Sequence, residues 1–157
     1  MNQNHQVSSH QKSIRNVTDM VSAVDIQSNV SCPMYGCMPS AGFPAPGDDM
    51  VEKTLDINDL LIDNPESTFY VRVQGDSMEG AGIFSGDILV VDRVAEATHG
   101  SIVVSAVYGE LVVKRLRKTI NGYVLISEKE GYEPIAVHDN EECFIWGVVT
   151  GSVRVFT

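Results

Sequence analysis

The chain has 157 residues and 17.1 kDa, with 43% hydrophobic and 20% charged residues, which is material for one ordinary domain with a core and a tail. Eleven basic side chains against 21 acidic ones give a net charge of −10, which repels a phosphate backbone and argues against a nucleic-acid-coating protein. The sequence has neither an apolar run of the ~20 residues that span a bilayer nor the apolar stretch of a signal peptide, so the expected setting is soluble and cytoplasmic.

Charge divides the chain. Residues 1–41 hold Lys12 and Arg15 against Asp19 and Asp25, so the whole excess of acid lies in residues 42–157. The first stretch is rich in Asn, Gln, Ser and His and reads as a flexible arm, because it buries too little apolar surface to offset its ordering entropy. Ile14, Val17, Val21 and Val24 recur at helical steps, which predicts one short docking helix around residues 13–25. A helix-turn-helix unit has no room here, so sequence-specific DNA binding is not expected. Residues 32–48 contain four prolines and three glycines, which forbid regular helix, weaken any strand and mark a hinge.

After the hinge, Asp56-Ile-Asn-Asp-Leu-Leu-Ile62 reads as a two-turn helix with an N-capping aspartate. Strands follow at 68–73, 87–92, 101–107, 110–116 and 122–127, with a last one over 144–156 broken near Gly151. Tyr108-Gly109 and Asn121-Gly122 are hairpin turns, the second a type I′ sequence. Short strands separated by turn residues predict a compact, mostly β, antiparallel fold.

Three segments could carry chemistry. Gly75-Asp76-Ser77-Met78 follows a predicted strand, where a serine hydroxyl and neighbouring backbone N–H groups can converge on one point as an oxyanion site requires. The same residues also make ordinary turns. Lys114 lies inside Leu111-Val-Val-Lys-Arg-Leu-Arg117, with Val112 on its own face and Val113 and Arg115 on the other. If its face is buried, desolvation favours the neutral amine, which can then take a proton from serine; if not, it is an edge-strand lysine that discourages aggregation. Ala41-Gly42-Phe43-Pro44 in the hinge is either a small-residue linker or a segment narrow enough to enter a protease cleft. His99 and His138 lie in polar loops, as do the carboxylate pairs Asp48/Asp49 and Glu141/Glu142. Cys32, Cys37 and Cys143 show no ligand spacing and read as free thiols.

Taken together, Ala41-Gly42, Gly75-Asp76-Ser77-Met78, Gly86-Asp87-Ile-Leu-Val-Val-Asp92 and Val112-Val-Lys114-Arg resemble the LexA/UmuD-type self-cleaving serine proteases, in the family's order. Gly42 precedes Ser77 by 35 residues and Ser77 precedes Lys114 by 37. The UmuD branch fits better than the repressors, whose DNA-binding domain has no counterpart in residues 1–41. The chain departs from UmuD proteins in having Ala41 where many carry cysteine, and in its longer arm.

The resemblance implies a LexA C-terminal-like β fold with a short helix, and two parts: residues 1–41, removed by self-cleavage, and residues 42–157, the protease and dimerisation domain. It implies Ser77 as nucleophile, Lys114 as general base, the backbone of Asp76 and Ser77 as oxyanion hole, and cleavage at Ala41-Gly42. It further implies a homodimer, a RecA–single-stranded DNA filament as coprotease, and a Y-family (UmuC-like) polymerase partner in the bacterial SOS response, with no metal or organic cofactor and no membrane. The alternative is a LexA-like regulatory or non-catalytic dimerisation module without a DNA-binding domain.

Overall fold

A computed structural model describes residues 17–22, 31–35, 51–137 and 143–157. Among the described residues, ten strands and one short α-helix follow in order: β1 (Val17–Ser22), β2 (Ser31–Tyr35), β3 (Val51–Asp56), α1 (Ile57–Leu61), β4 (Thr68–Val73), β5 (Ile88–Asp92), β6 (Ile102–Val107), β7 (Glu110–Thr119), β8 (Gly122–Ile126), β9 (Ile135–Val137) and β10 (Cys143–Val153). Eight of them form one sheet in the order β1-β4-β5-β10-β6-β7-β8-β9, while β2 and β3 form a separate ribbon. Every strand pairing among the described residues is antiparallel.

The alternation of β6 and β7 builds two apolar clusters. Val104 and Val113 face one way, joining Val71, Val73, Leu89, Val91, Met78 and Ile83. Val103, Val107, Val112 and Leu116 face the other way, joining Leu125 and Cys143. These strands are therefore covered on both faces, and each fully buried valine or leucine contributes about 1.5–3 kcal/mol. β10 bends twice, with register shifts between Ile145 and Gly147 and between Val149 and Gly151, so the interruption expected near Gly151 is a bulge. A Cβ at Gly151 would stand 2.8 Å from Leu61 Cδ2, so the α1 leucine packs over the bare glycine of β10.

The α1 helix begins as expected: the Asp56 side chain accepts a hydrogen bond from the Asn58 N–H at 2.8 Å. At Tyr108-Gly109 both residues have positive φ (49° and 81°), the geometry of a two-residue I′ hairpin. The next hairpin differs. Thr119 pairs with Gly122, so Ile120 and Asn121 form the loop, and its positive φ of 124° falls on Gly122 alone.

Expectations change mainly in the N-terminal part. Residues 17–22 form β1 rather than the interior of a helix over 13–25, pairing with β4 from Val17↔Val73 to Ser22↔Phe69. An isolated helix of that length is marginal in water, whereas the outer edge of β4 offers a row of backbone partners. The hinge read over 32–48 begins later than its prolines imply, because Pro33 lies within β2 opposite Thr54. A two-stranded ribbon leaves one edge of each strand unpaired, which is where proline is tolerated. β3 and the three-residue β9 were not foreseen; each depends on a partner strand for its extension.

Candidate active site

The serine turn is built by glycines and an anchor. After β4 the chain turns at Gly75, with φ of 99°, and closes at Gly82, with φ of 79°. Between them Met78 is 2% exposed and packs into the first apolar cluster, fixing the turn from below. The Glu128 N–H donates to the Ser77 carbonyl at 2.8 Å, and the Gly80 N–H donates to the Glu128 carbonyl at 2.8 Å. Two backbone bonds therefore tie this turn to the connection that follows β8.

Lys114 reaches the serine from β7. Its Nζ lies 2.9 Å from Ser77 Oγ, and the two residues are 5% and 3% exposed. Burial pulls the Lys114 amine down from its ordinary 10.5 to about 8, against the opposing pull of the Asp76 carboxylate. Of the two readings open for this lysine, the structure selects the buried one. A buried hydroxyl beside an amine that loses its charge at about pH 8 can be deprotonated as it attacks a carbonyl. Asp76 and Ser77 are consecutive in the turn, so their amides and the hydroxyl belong to one short segment.

Glu79, Glu128, Lys129 and Tyr132, around the pair, carried no sequence signal. Asp76 accepts from Lys129 Nζ at 2.5 Å and from the Tyr132 hydroxyl, and its carboxyl is held down at about 2 by Lys129 first and Tyr132 second. Lys129 also reaches Glu79 at 2.8 Å. The Tyr132 ring centroid is 5.3 Å from Lys114 Nζ. Arg115, on the opposite face of β7, donates to Glu128 and, at 2.7 Å, to the Gly100 carbonyl. All but Arg115 come from the turn itself or from the polar run Glu128–Tyr132, where only proximity in space gives a charged side chain a role.

The remaining motif residues are structural. Asp87 is 2% exposed and accepts from Arg154 Nε at 2.7 Å, from a second Arg154 nitrogen at 2.6 Å and from the Phe84 N–H at 2.8 Å. The Arg154 guanidinium in turn keeps the Asp87 carboxyl below its ordinary range. Asp92 accepts from Asn64 and Ser67 side chains at 2.8 and 2.7 Å and from the Val94 N–H at 2.9 Å. His99 is exposed and accepts from the Lys118 N–H at 3.2 Å, away from Ser77. His138, Ala41, Gly42, Cys37 and the two carboxylate pairs lie outside the described residues. Among the described residues, no His/Cys/Asp/Glu group could hold a metal ion, and no helix is long and apolar enough to cross a membrane.

Comparison with known proteins agrees with the family read from these motifs. The Peptidase S24-like family matches residues 33–150, three quarters of the chain and all of the site just described. The chain belongs to the Peptidase S24-like family. Among similar S24 relatives, protein MucA of Salmonella typhimurium is 40% identical over 123 residues, covering 78% of this chain and 84% of that protein. Protein ImpA of Salmonella typhimurium is 38% identical over 124 residues, covering 75% of this chain and 80% of that protein. The LexA repressor of Shewanella pealeana is 35% identical over 127 residues, covering 80% of this chain and 61% of the repressor. This S24 member is thus UmuD-like, a serine peptidase of the self-cleaving kind, on the mostly β fold expected of it.

Proposed function

We propose that the chain is the self-cleaving Ser/Lys peptidase subunit of an error-prone Y-family DNA polymerase, activated when a RecA–single-stranded DNA filament promotes its cleavage at Ala41-Gly42. The observation that carries this reading is the 2.9 Å approach of Lys114 Nζ to Ser77 Oγ in a buried setting. Neutral Lys114 takes the hydroxyl proton as Ser77 Oγ bonds to the Ala41 carbonyl carbon. The carbonyl electron pair moves onto oxygen, where the Asp76 and Ser77 amides stabilise it. Collapse breaks the bond to Gly42 nitrogen, which receives the proton from Lys114, and water then hydrolyses the Ala41–Ser77 ester.

Cleavage divides the chain into arm 1–41 and body 42–157. The body keeps β4 to β10 and every buried residue of the two apolar clusters, so it can fold alone. It is the mutagenesis-active form, a cytoplasmic homodimer that joins a UmuC-like polymerase and reads no DNA sequence itself. The filament acts by favouring the conformation in which Ala41-Gly42 enters the site, since a ligand shifts an equilibrium only by binding one state better.

The test is incubation of the purified full-length chain at alkaline pH with N-terminal sequencing of the products. A fragment beginning at Gly42, absent from Ser77→Ala, is expected. The same fragment from Ser77→Ala would overturn the reading. In cells, residues 42–157 should support damage-induced mutagenesis with the polymerase present, and Ser77→Ala should support it poorly.

A further inference from the structure

Lys114 is surrounded asymmetrically. On β6 its partner is Val103, which carries no charge, and Val112 and Leu116 flank it along β7. The polar groups facing it come from two segments: Ser77 and Asp76 from the serine turn, and Tyr132 from the connection after β8. Behind Asp76 stand Lys129 and, bridged through it, Glu79. Arg115 and Glu128 pair with one another from the other face of the strand.

We propose that Asp76, Lys129 and Tyr132 form a positioning unit for Lys114, in which Tyr132 offers the amine its ring face and Lys129 sets how much of the Asp76 charge the amine feels. The proposal rests on Ser77 and Lys114 acting as nucleophile and base. A base in this place has two opposed requirements: it must be neutral at rest, and it must gain by accepting a proton. Burial among Val103, Val112 and Leu116 serves the first. The second needs something that favours the ammonium once the proton leaves Ser77 Oγ for the Nζ lone pair. An aromatic face within about 6 Å does so, and so does a carboxylate nearby. Both groups are held in place: the Tyr132 hydroxyl donates to Asp76, and the same carboxylate is tied to Lys129. That bond also keeps the phenol protonated, since the Asp76 charge pushes its ionisation upward. Lys129 is the counterweight. It shares the Asp76 charge, and without it the full carboxylate would act on Lys114.

The geometry predicts shifts of opposite sign. Asp76→Asn removes the charge that favours the ammonium, so Lys114 titrates lower and the self-cleavage profile moves toward acid. Lys129→Met frees the carboxylate, so Lys114 titrates higher and the profile moves toward alkali. Each shift belongs at the lower end of the about 1–3 units that a neighbouring charge produces. Tyr132→Leu removes the ring and lowers the plateau about two- to thirtyfold, while Tyr132→Phe keeps the ring but loses its bond to Asp76 and lowers the plateau less.

The experiment measures the full-length chain twice: the self-cleavage rate against pH, and the titration of Lys114 by NMR of 13Cε-labelled lysines in the uncleavable Ser77→Ala background. Lys114→Arg assigns the signal. Opposite displacements of the Lys114 midpoint in Asp76→Asn and Lys129→Met are expected. Midpoints that stay fixed, or move the same way, overturn the positioning unit, because a merely structural lesion has no reason to reverse sign with charge. The NMR titration needs no cutting, so it decides the matter even if Ser77→Ala disproves the peptidase reading.

Discussion

Gly80 approaches Glu128 so closely that a Cβ on Gly80 would lie 2.3 Å from the Glu128 carbonyl oxygen. The contact is backbone against backbone, so no side chain can rotate away, and the Gly80 N–H donates to that same oxygen at 2.8 Å. Gly80→Ala must therefore separate the serine turn from the connection carrying Lys129 and Tyr132. The expected loss is about 1–3 kcal/mol, typical of overpacking, together with slowed self-cleavage. Denaturant unfolding of Gly80→Ala in the Ser77→Ala background checks the first, and the cutting rate of the single variant checks the second. Unchanged stability and rate would show that the turn can move without consequence.

If Lys114 is the base proposed above, the pH dependence of cutting should report its titration. Its amine is drawn from 10.5 to about 8, so the rate should rise with pH up to about 8 and then level off. Lys114→Arg should not cut at any working pH, since guanidinium keeps its proton. A rate that followed a group near pH ~6.5 would point to a histidine instead.

The same lysine should cost stability. Between about 8 and 10.5 the unfolded chain binds a proton that the folded chain has lost, so stability rises with pH across that window. Below it, the folded chain carries a buried ammonium that an apolar side chain would replace without penalty. Lys114→Met should therefore raise stability at neutral pH by about 2–3 kcal/mol while abolishing cleavage. Denaturant midpoints of Lys114→Met and Ser77→Ala, compared at pH 7, decide it: a Lys114→Met midpoint that is not the higher one contradicts the desolvation argument.

Much of this architecture was legible in the chain, and the boundary is physical. Strands β4 to β8 announce themselves through β-branched runs between turn residues, most plainly in β5, β6 and the first part of β7, where both faces are covered. Ser77 and Lys114 were legible as residue types in motif context, although 37 positions separate them. β1 was misread because Val17 and Val21 fit a helical period, and only the β4 edge selects the extended form. Lys129 and Tyr132 were invisible for a related reason. Nothing in Glu128–Tyr132 distinguishes it from a solvated loop until Gly80 brings it against the serine turn.

Asp87 and Arg154 make a second test of the fold. The carboxylate is buried while the guanidinium is partly open, so removing the arginine leaves a poorly solvated charge behind. Arg154→Leu should lower the denaturant midpoint at neutral pH. The folded Asp87 ionises below its ordinary range, so its stabilisation is complete above the unfolded carboxylate pKa near ~4 and is lost as pH falls through the lowered value. Arg154→Leu should accordingly flatten the acid limb of the stability curve, and equal acid sensitivity in both proteins would count against the pair.

Cutting the chain should not at once free the arm. The Ala41-Gly42 bond belongs to the segment joining β2 to β3, and breaking it severs no backbone pairing in the described residues. Ser31 to Tyr35 remain opposite Val51 to Asp56, and Val17 to Ser22 remain along β4. Each ladder bond contributes about 0.5–1.5 kcal/mol net, so two paired strands hold the fragment with more than one weak contact. What the cut removes is the tether, which had supplied an effective concentration in the millimolar range. Release then becomes a second, concentration-dependent step, and only it uncovers the β4 edge, a row of backbone groups suited to pairing with another strand. Fragment 1–41 should therefore co-elute with the body in gel filtration just after cutting and separate on dilution or in mild urea. Separate elution at every concentration would mean that the pairings do not outlast the bond, and that cleavage alone exposes the edge.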